Sequence, residues 1–136
     1  MVNCANDRRS RDISAGKCAA CLSLFQGVFY LATGVWPLVS MRSFEQVTGP
    51  KTDKWLVKTA GVVITAVGGA LAMAGACRRV SPETEFLAVA SAAGLTAIDI
   101  VYVAKRRIAP IYLLDAVAEL AIIGGWLATG RSPNRG

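Results

Sequence analysis

An all-α polytopic membrane protein, built as a four-transmembrane-helix bundle, is expected from three observations. The 136-residue chain is 54% hydrophobic and only 18% charged, with mean hydropathy +0.45, which is low in charge for a soluble domain of this size. Its apolar residues fall into four blocks, each near the roughly 20 residues that cross a bilayer's hydrocarbon core as a helix. Lys and Arg collect at the ends of those blocks, as interfacial anchors do.

The net charge of +6 therefore does not point to nucleic acid, because no basic stripe with interleaved aromatics accompanies it. The chain has no histidine, so imidazole catalysis and His-ligated metals are excluded, and no cofactor is expected.

Residues 1–17 are polar and aperiodic and read as a flexible tail; residues 131–136 read as a polar C-terminal tail. The transmembrane domain then covers 18–130. Its first helix is expected at about 19–41, with Gln26, Tyr30, Thr33 and Pro37 on one face and Pro37 bending the last turn. A signal peptide is not expected, because the apolar run continues through Trp36 and Pro37 without a small-residue cleavage site. The loop 42–54 carries the turn signal Gly49-Pro50 and is either an ordered lid, with Phe44 and Val47 in the headgroup region, or a solvated connection. Asp53 can cap the next helix.

Helix two, about 55–76, carries two ladders at spacing four, one of Gly61, Thr65 and Gly69 and the other of Ala66, Ala70 and Ala74. Such ladders permit close helix approach, which places this helix centrally or marks a homo-oligomer interface. Helix three, about 82–104, opens on Ser81 as N-cap and Pro82 as first helical residue. Helix four, about 109–129, follows a basic turn of Lys105, Arg106 and Arg107.

Function is sought where acids sit in apolar segments. Asp99, Asp115 and Glu119 each cost a few kcal/mol or more at the bilayer centre unless paired, neutralised or facing a polar cavity. Four passes bring Lys58, Asp99, Tyr102, Tyr112 and Asp115 into the same half of the bundle, with Glu119 near midplane. Tyr112, Asp115, Glu119 and Trp126 share a helix face. Asp115 and Glu119, one turn apart in low dielectric, do not both carry charge without a cation. Three readings stay open: a buried polar clasp, a site for a lipid-like or other amphipathic ligand, or a path for protons or ions. In the ligand reading, the acids and Lys58 bind while Tyr102 and Tyr112 orient.

Cys18 and Cys21 form a CxxC at the mouth of helix one, with Cys4 and Cys77 on the same membrane side. They read as small apolar residues, a thiol redox pair like that of quinone-linked disulfide oxidoreductases, or part of a four-Cys zinc site. The zinc reading lacks the usual second pair spacing, so no metal is expected. Orientation is nearly balanced, with eight basic residues on the side of the termini and seven opposite. The basic residues before helix one favour cytoplasmic termini, which would set the thiols in a reducing compartment.

The strings SFEQVTGPKTDKWLVKTAG, 43–61, and AIDIVYVAKRRIAPIYLLDAVAEL, 97–120, resemble segments of small, mostly uncharacterised bacterial four-helix membrane proteins, broadly DoxX-like. The resemblance spans about residues 22–128. It implies a four-helix bundle in the inner membrane and supplies no activity, so no catalytic residue carries over. Sterol isomerases and lipid-binding four-helix bundles, where acids line a ligand cavity, are comparable at the level of fold alone.

Overall fold

A computed structural model describes residues 2–130; the polar segment 131–136 lies outside them. Five helices follow in order: α1 (Val2–Val39), α2 (Met41–Thr48), α3 (Lys54–Ala76), α4 (Pro82–Ala104) and α5 (Tyr112–Gly130). Among the described residues there is no strand. Four helices, α1 from Arg9 onward together with α3, α4 and α5, are long and apolar enough to cross a membrane, and their backbone polar groups are satisfied within each helix, as a bilayer demands. The chain is an all-α multi-pass membrane protein.

Helix four starts at Tyr112 rather than near 109, and both ends of the first helix differ from the sequence expectation. The first helix continues back through the polar segment to Val2. An Asp7–Arg11 ion pair one turn apart supports that extension. At the other end α1 stops at Val39, and Ser40 starts the separate helix α2, its Oγ accepting from the Ser43 amide at 3.4 Å. The connection between the first two spans is thus helical over eight residues.

The cap expected at Ser81 forms, with Oγ accepting from the Thr84 amide and Pro82 in the first turn. The one expected at Asp53 does not: its side chain makes no capping bond, and its backbone carbonyl takes the Leu56 and Val57 amides instead. Helices α3 and α4 end alike. Arg78 and Arg106 adopt positive φ, and the following amides reach back five residues, Arg79 to Ala74 and Arg107 to Tyr102. That motif satisfies carbonyls left open at a helix end and sets positive charge against the negative pole.

The bundle is two helix pairs, α1 on α3 and α4 on α5, with only limited contact between α3 and α4. The α1–α3 seam runs along Gly61, Gly68 and Gly75, all buried. Seven residues are nearly two full turns, so this stripe stays on one face. A Cβ on Gly61 would stand 2.7 Å from the Gly34 carbonyl oxygen, and one on Gly68 would stand 2.8 Å from that of Gly27. The first spacing-four ladder holds at Gly61 and Thr65, where a Cβ on Gly34 would stand 2.8 Å from the Gly61 carbonyl oxygen and from the Thr65 amide nitrogen, and goes no further. Gly69 faces open space, and Ala66 and Ala70 are exposed, because each step of four rotates about 40° away from the seam.

The central helix is α1, not α3. It packs on α3, touches α2, α4 and α5, and buries its polar stripe of Ser23, Gln26 and Tyr30. Ser23 Oγ donates to the Leu71 carbonyl at 2.8 Å, joining α1 to α3.

Candidate ligand site

On the side where α1 ends and α5 begins, the two helix pairs diverge around a cavity of about 320 Å³. Asp99 from α4 and Tyr112, Asp115 and Glu119 from α5 line it, with Thr33 and Pro37 of α1 and Gly61 and Ile64 of α3 opposite. The short helix α2 covers it with Phe44, Val47 and Thr48, while Arg42 and Gln46 face outward. Apolar and charged residues alternate on α2 at helical spacing, which is how a helix lies at a membrane interface.

The cover is tied down by Glu45. One carboxylate oxygen accepts the Lys51 amide at 3.0 Å, and the other meets the Lys54 ammonium at 3.1 Å. The Lys51 amide first, and then Lys54, hold this carboxyl below its ordinary value of 4.5. Gly49 between them has φ +88° and ψ 160°, a region that is essentially glycine's alone. Lys51 itself reaches the cavity mouth, with Nζ 3.1 Å from the Thr48 carbonyl and 4.9 Å from the centre of the Tyr112 ring.

Above the cavity, a chain of hydrogen bonds crosses the bundle. Trp126 Nε1 donates to Gln26 Oε1 at 2.8 Å, Gln26 Nε2 donates to the Ala88 carbonyl at 2.9 Å and to the Tyr30 hydroxyl at 3.2 Å, and that hydroxyl donates to Glu119 Oε2 at 2.9 Å. The indole can only donate, which fixes the Gln26 amide orientation and hence the direction of every later bond. All four side chains are essentially fully buried, so the network ties α1, α4 and α5 together where no water competes.

Below that chain the polar groups are not satisfied. Glu119 Oε1, Asp99 Oδ2 and Thr96 Oγ1 are buried without a hydrogen-bond partner. Asp99 of α4 and Asp115 of α5 both line the cavity. Among the described residues, no Lys or Arg lines the cavity. Orphaned buried oxygens of this kind cost about 1–3 kcal/mol each, more where charged, so their retention calls for an occupant or a proton.

Of the expected site residues, the structure brings Asp99, Tyr112, Asp115 and Glu119 together around the cavity and leaves Lys58 and Tyr102 outside its lining. Lys58 is exposed, on the outer face of α3. Tyr102 is 45% exposed and stacks under Lys105, Nζ 5.8 Å from its ring centre. The reason is register: the inward stripe of α4 runs Ala88, Ala92, Thr96, Asp99, so its next member is Val103. Gln26 and Tyr30 were not among the expected site residues, and the connection 42–54, open between an ordered lid and a solvated link, carries the helix α2 over the cavity. The shared face of Gln26, Tyr30, Thr33 and Pro37 carried the signal for those two.

Cys18, Cys21 and Cys77 are exposed free thiols, and none lines this cavity; the side chain of Cys4 lies outside those described. Among the described residues, no group of three His, Cys, Asp or Glu side chains is placed to hold a metal ion. Compared with family models, curated proteins and solved structures, the chain has no match.

Proposed function

We propose that this protein binds a lipid-like, amphipathic small molecule in the cavity beneath α2, without transforming it. One observation carries the reading: Glu119 Oε1 and Asp99 Oδ2 are buried and unpartnered on residues that line a cavity of about 320 Å³. A purely structural clasp would use up its polar atoms. The Trp126–Gln26–Tyr30 chain does so and ends on the other Glu119 oxygen, which leaves Glu119 Oε1 and Asp99 Oδ2 without a partner. Cavities of this size, mostly apolar with a few convergent polar groups, are the usual form of small-molecule sites.

In this proposal the protein sits in the bacterial inner membrane as a relative of the DoxX-like proteins, a kinship supported by the strings 43–61 and 97–120. Its termini are cytoplasmic, supported by the basic residues ahead of the first span, and the cavity mouth faces outward. The test is mass spectrometry of small molecules retained through gentle purification. An amphiphile enriched with the native chain and lost from an Asp99→Asn, Glu119→Gln variant of unchanged thermal stability is the expected result. Equal retention by both proteins overturns the proposal.

A further inference from the structure

A second hollow adjoins the acid-lined cavity. It is a groove of about 250 Å³ between α3 and α4, lined among others by Val63, Val67, Ser91 and Gly94. These two helices make little contact with each other, so the groove opens sideways, on the face of the bundle that meets lipid. Ile64 and Leu95 line both hollows. They form the threshold between them, two aliphatic side chains that can change rotamer without breaking a hydrogen bond. At Gly94 nothing stands within 4 Å of where a Cβ would be, so the groove is open there.

The two hollows differ in chemistry. The groove is almost wholly apolar, with Ser91 Oγ turned back to the Leu87 carbonyl at 2.6 Å. The cavity presents three carboxyl groups and, among the described residues, no lining cation. Of the charged and titratable groups around it, Tyr30 already donates to Glu119, and Lys51 is held at the mouth by the Thr48 carbonyl and the Tyr112 ring. Unpartnered carboxylate oxygens in low dielectric are satisfied by a cation that brings N–H donors. An anionic head would face three acids, and a hydroxyl brings a single donor where an ammonium brings three.

Resting on the reading of the cavity as a ligand site, we propose that the ligand is a single-chain amphiphile with an amine head. The head sits among Asp99, Asp115 and Glu119, and the alkyl chain passes between Ile64 and Leu95 into the α3–α4 groove. The same groove is the route of entry from the membrane. An amphiphile dissolved in the bilayer never has to cross water or lift α2 to reach the acids.

The test uses the full chain in phosphatidylcholine nanodiscs at about pH 7, with hexadecylamine, hexylamine, hexadecanol and hexadecanoate as probes. Affinities are corrected for each probe's partition into protein-free discs. Hexadecylamine is expected to bind at least about tenfold tighter than hexadecanol or hexadecanoate, a factor corresponding to about 1.4 kcal/mol. Gly94→Leu fills open space, so it leaves folding intact; it is expected to weaken hexadecylamine about tenfold and hexylamine not at all. Equal loss for both amines, or no loss for either, overturns the placement of the chain. Tight binding of the alcohol or the acid in place of the amine overturns the head class while the cavity remains a ligand site. No binding of any of the four probes by the wild type, together with equal ligand retention by wild type and the Asp99→Asn, Glu119→Gln variant, overturns the cavity reading itself.

Discussion

Gly68→Ala lowers the thermal stability of the solubilised protein, whereas Gly69→Ala, one residue further along the same helix, leaves it unchanged or raises it. The two substitutions share the same intrinsic gain, since alanine is favoured over glycine inside a helix by roughly 1 kcal/mol. They differ in what the new methyl group meets. At Gly68 it would stand 2.8 Å from the Gly27 carbonyl oxygen, the Leu31 amide nitrogen and Tyr30 Cβ. Two of those atoms are backbone, which no rotamer change can move. The α1–α3 seam must part, and overpacking of a close interface costs about 1–3 kcal/mol or more. At Gly69 there is nothing within 4 Å. Clash outweighs propensity at the first position and is absent at the second. Thermal aggregation of the two variants in one detergent measures the contrast, and equal midpoints would show that the seven-residue stripe is not the seam.

The second large effect is expected at Gln26→Leu, which removes the centre of the transverse hydrogen-bond chain at little change in shape. Hydrogen bonds between membrane helices average only about 0.6 kcal/mol, because the unfolded state in lipid also finds partners. Gln26 stands above that average for a local reason. Trp126 is 1% exposed, and its N–H has no second acceptor once Oε1 is gone, which leaves a buried donor orphaned at about 1–3 kcal/mol. The signature is a double-mutant cycle. Trp126→Phe destabilises the native chain, and it should cost less in the Gln26→Leu background, where the indole N–H is already a burden. Strict additivity in thermal unfolding would mean that the 2.8 Å contact contributes nothing.

Much of this architecture was legible in the sequence because bilayer thickness leaves few alternatives. Four apolar blocks of spanning length can only be four helices, and Pro82 and Ser81 mark the start of α4 without ambiguity. Asp99, Asp115 and Glu119 were legible for a similar reason, since an acid in such a block is too costly to be incidental. What the sequence left open depended on helix rotation. The seam could follow spacing four or spacing seven, and only the partner helix decides; Gly34 and Gly27 of α1 select Gly61 and Gly68 and leave Gly69 outside. Tyr102 fell to the same ambiguity, being three residues from Asp99 but off its stripe. Lys58 shared the acids' depth and not their face. The helix α2 was hidden because eight residues with two charges resemble a loop until Glu45 is seen holding Lys51 and Lys54.

The most direct test of the central claim, that the acids face an accessible ligand cavity, is labelling with an apolar carbodiimide such as dicyclohexylcarbodiimide. This reagent dissolves in the bilayer and adds covalently to protonated carboxyl groups shielded from water. Native membranes are treated with and without a saturating amphiphilic amine, and modified peptides are read by mass spectrometry. The account predicts label on Asp99, Asp115 or Glu119 and its loss when the amine is present. Label that is absent from all three acids, or present and indifferent to the amine, would contradict it.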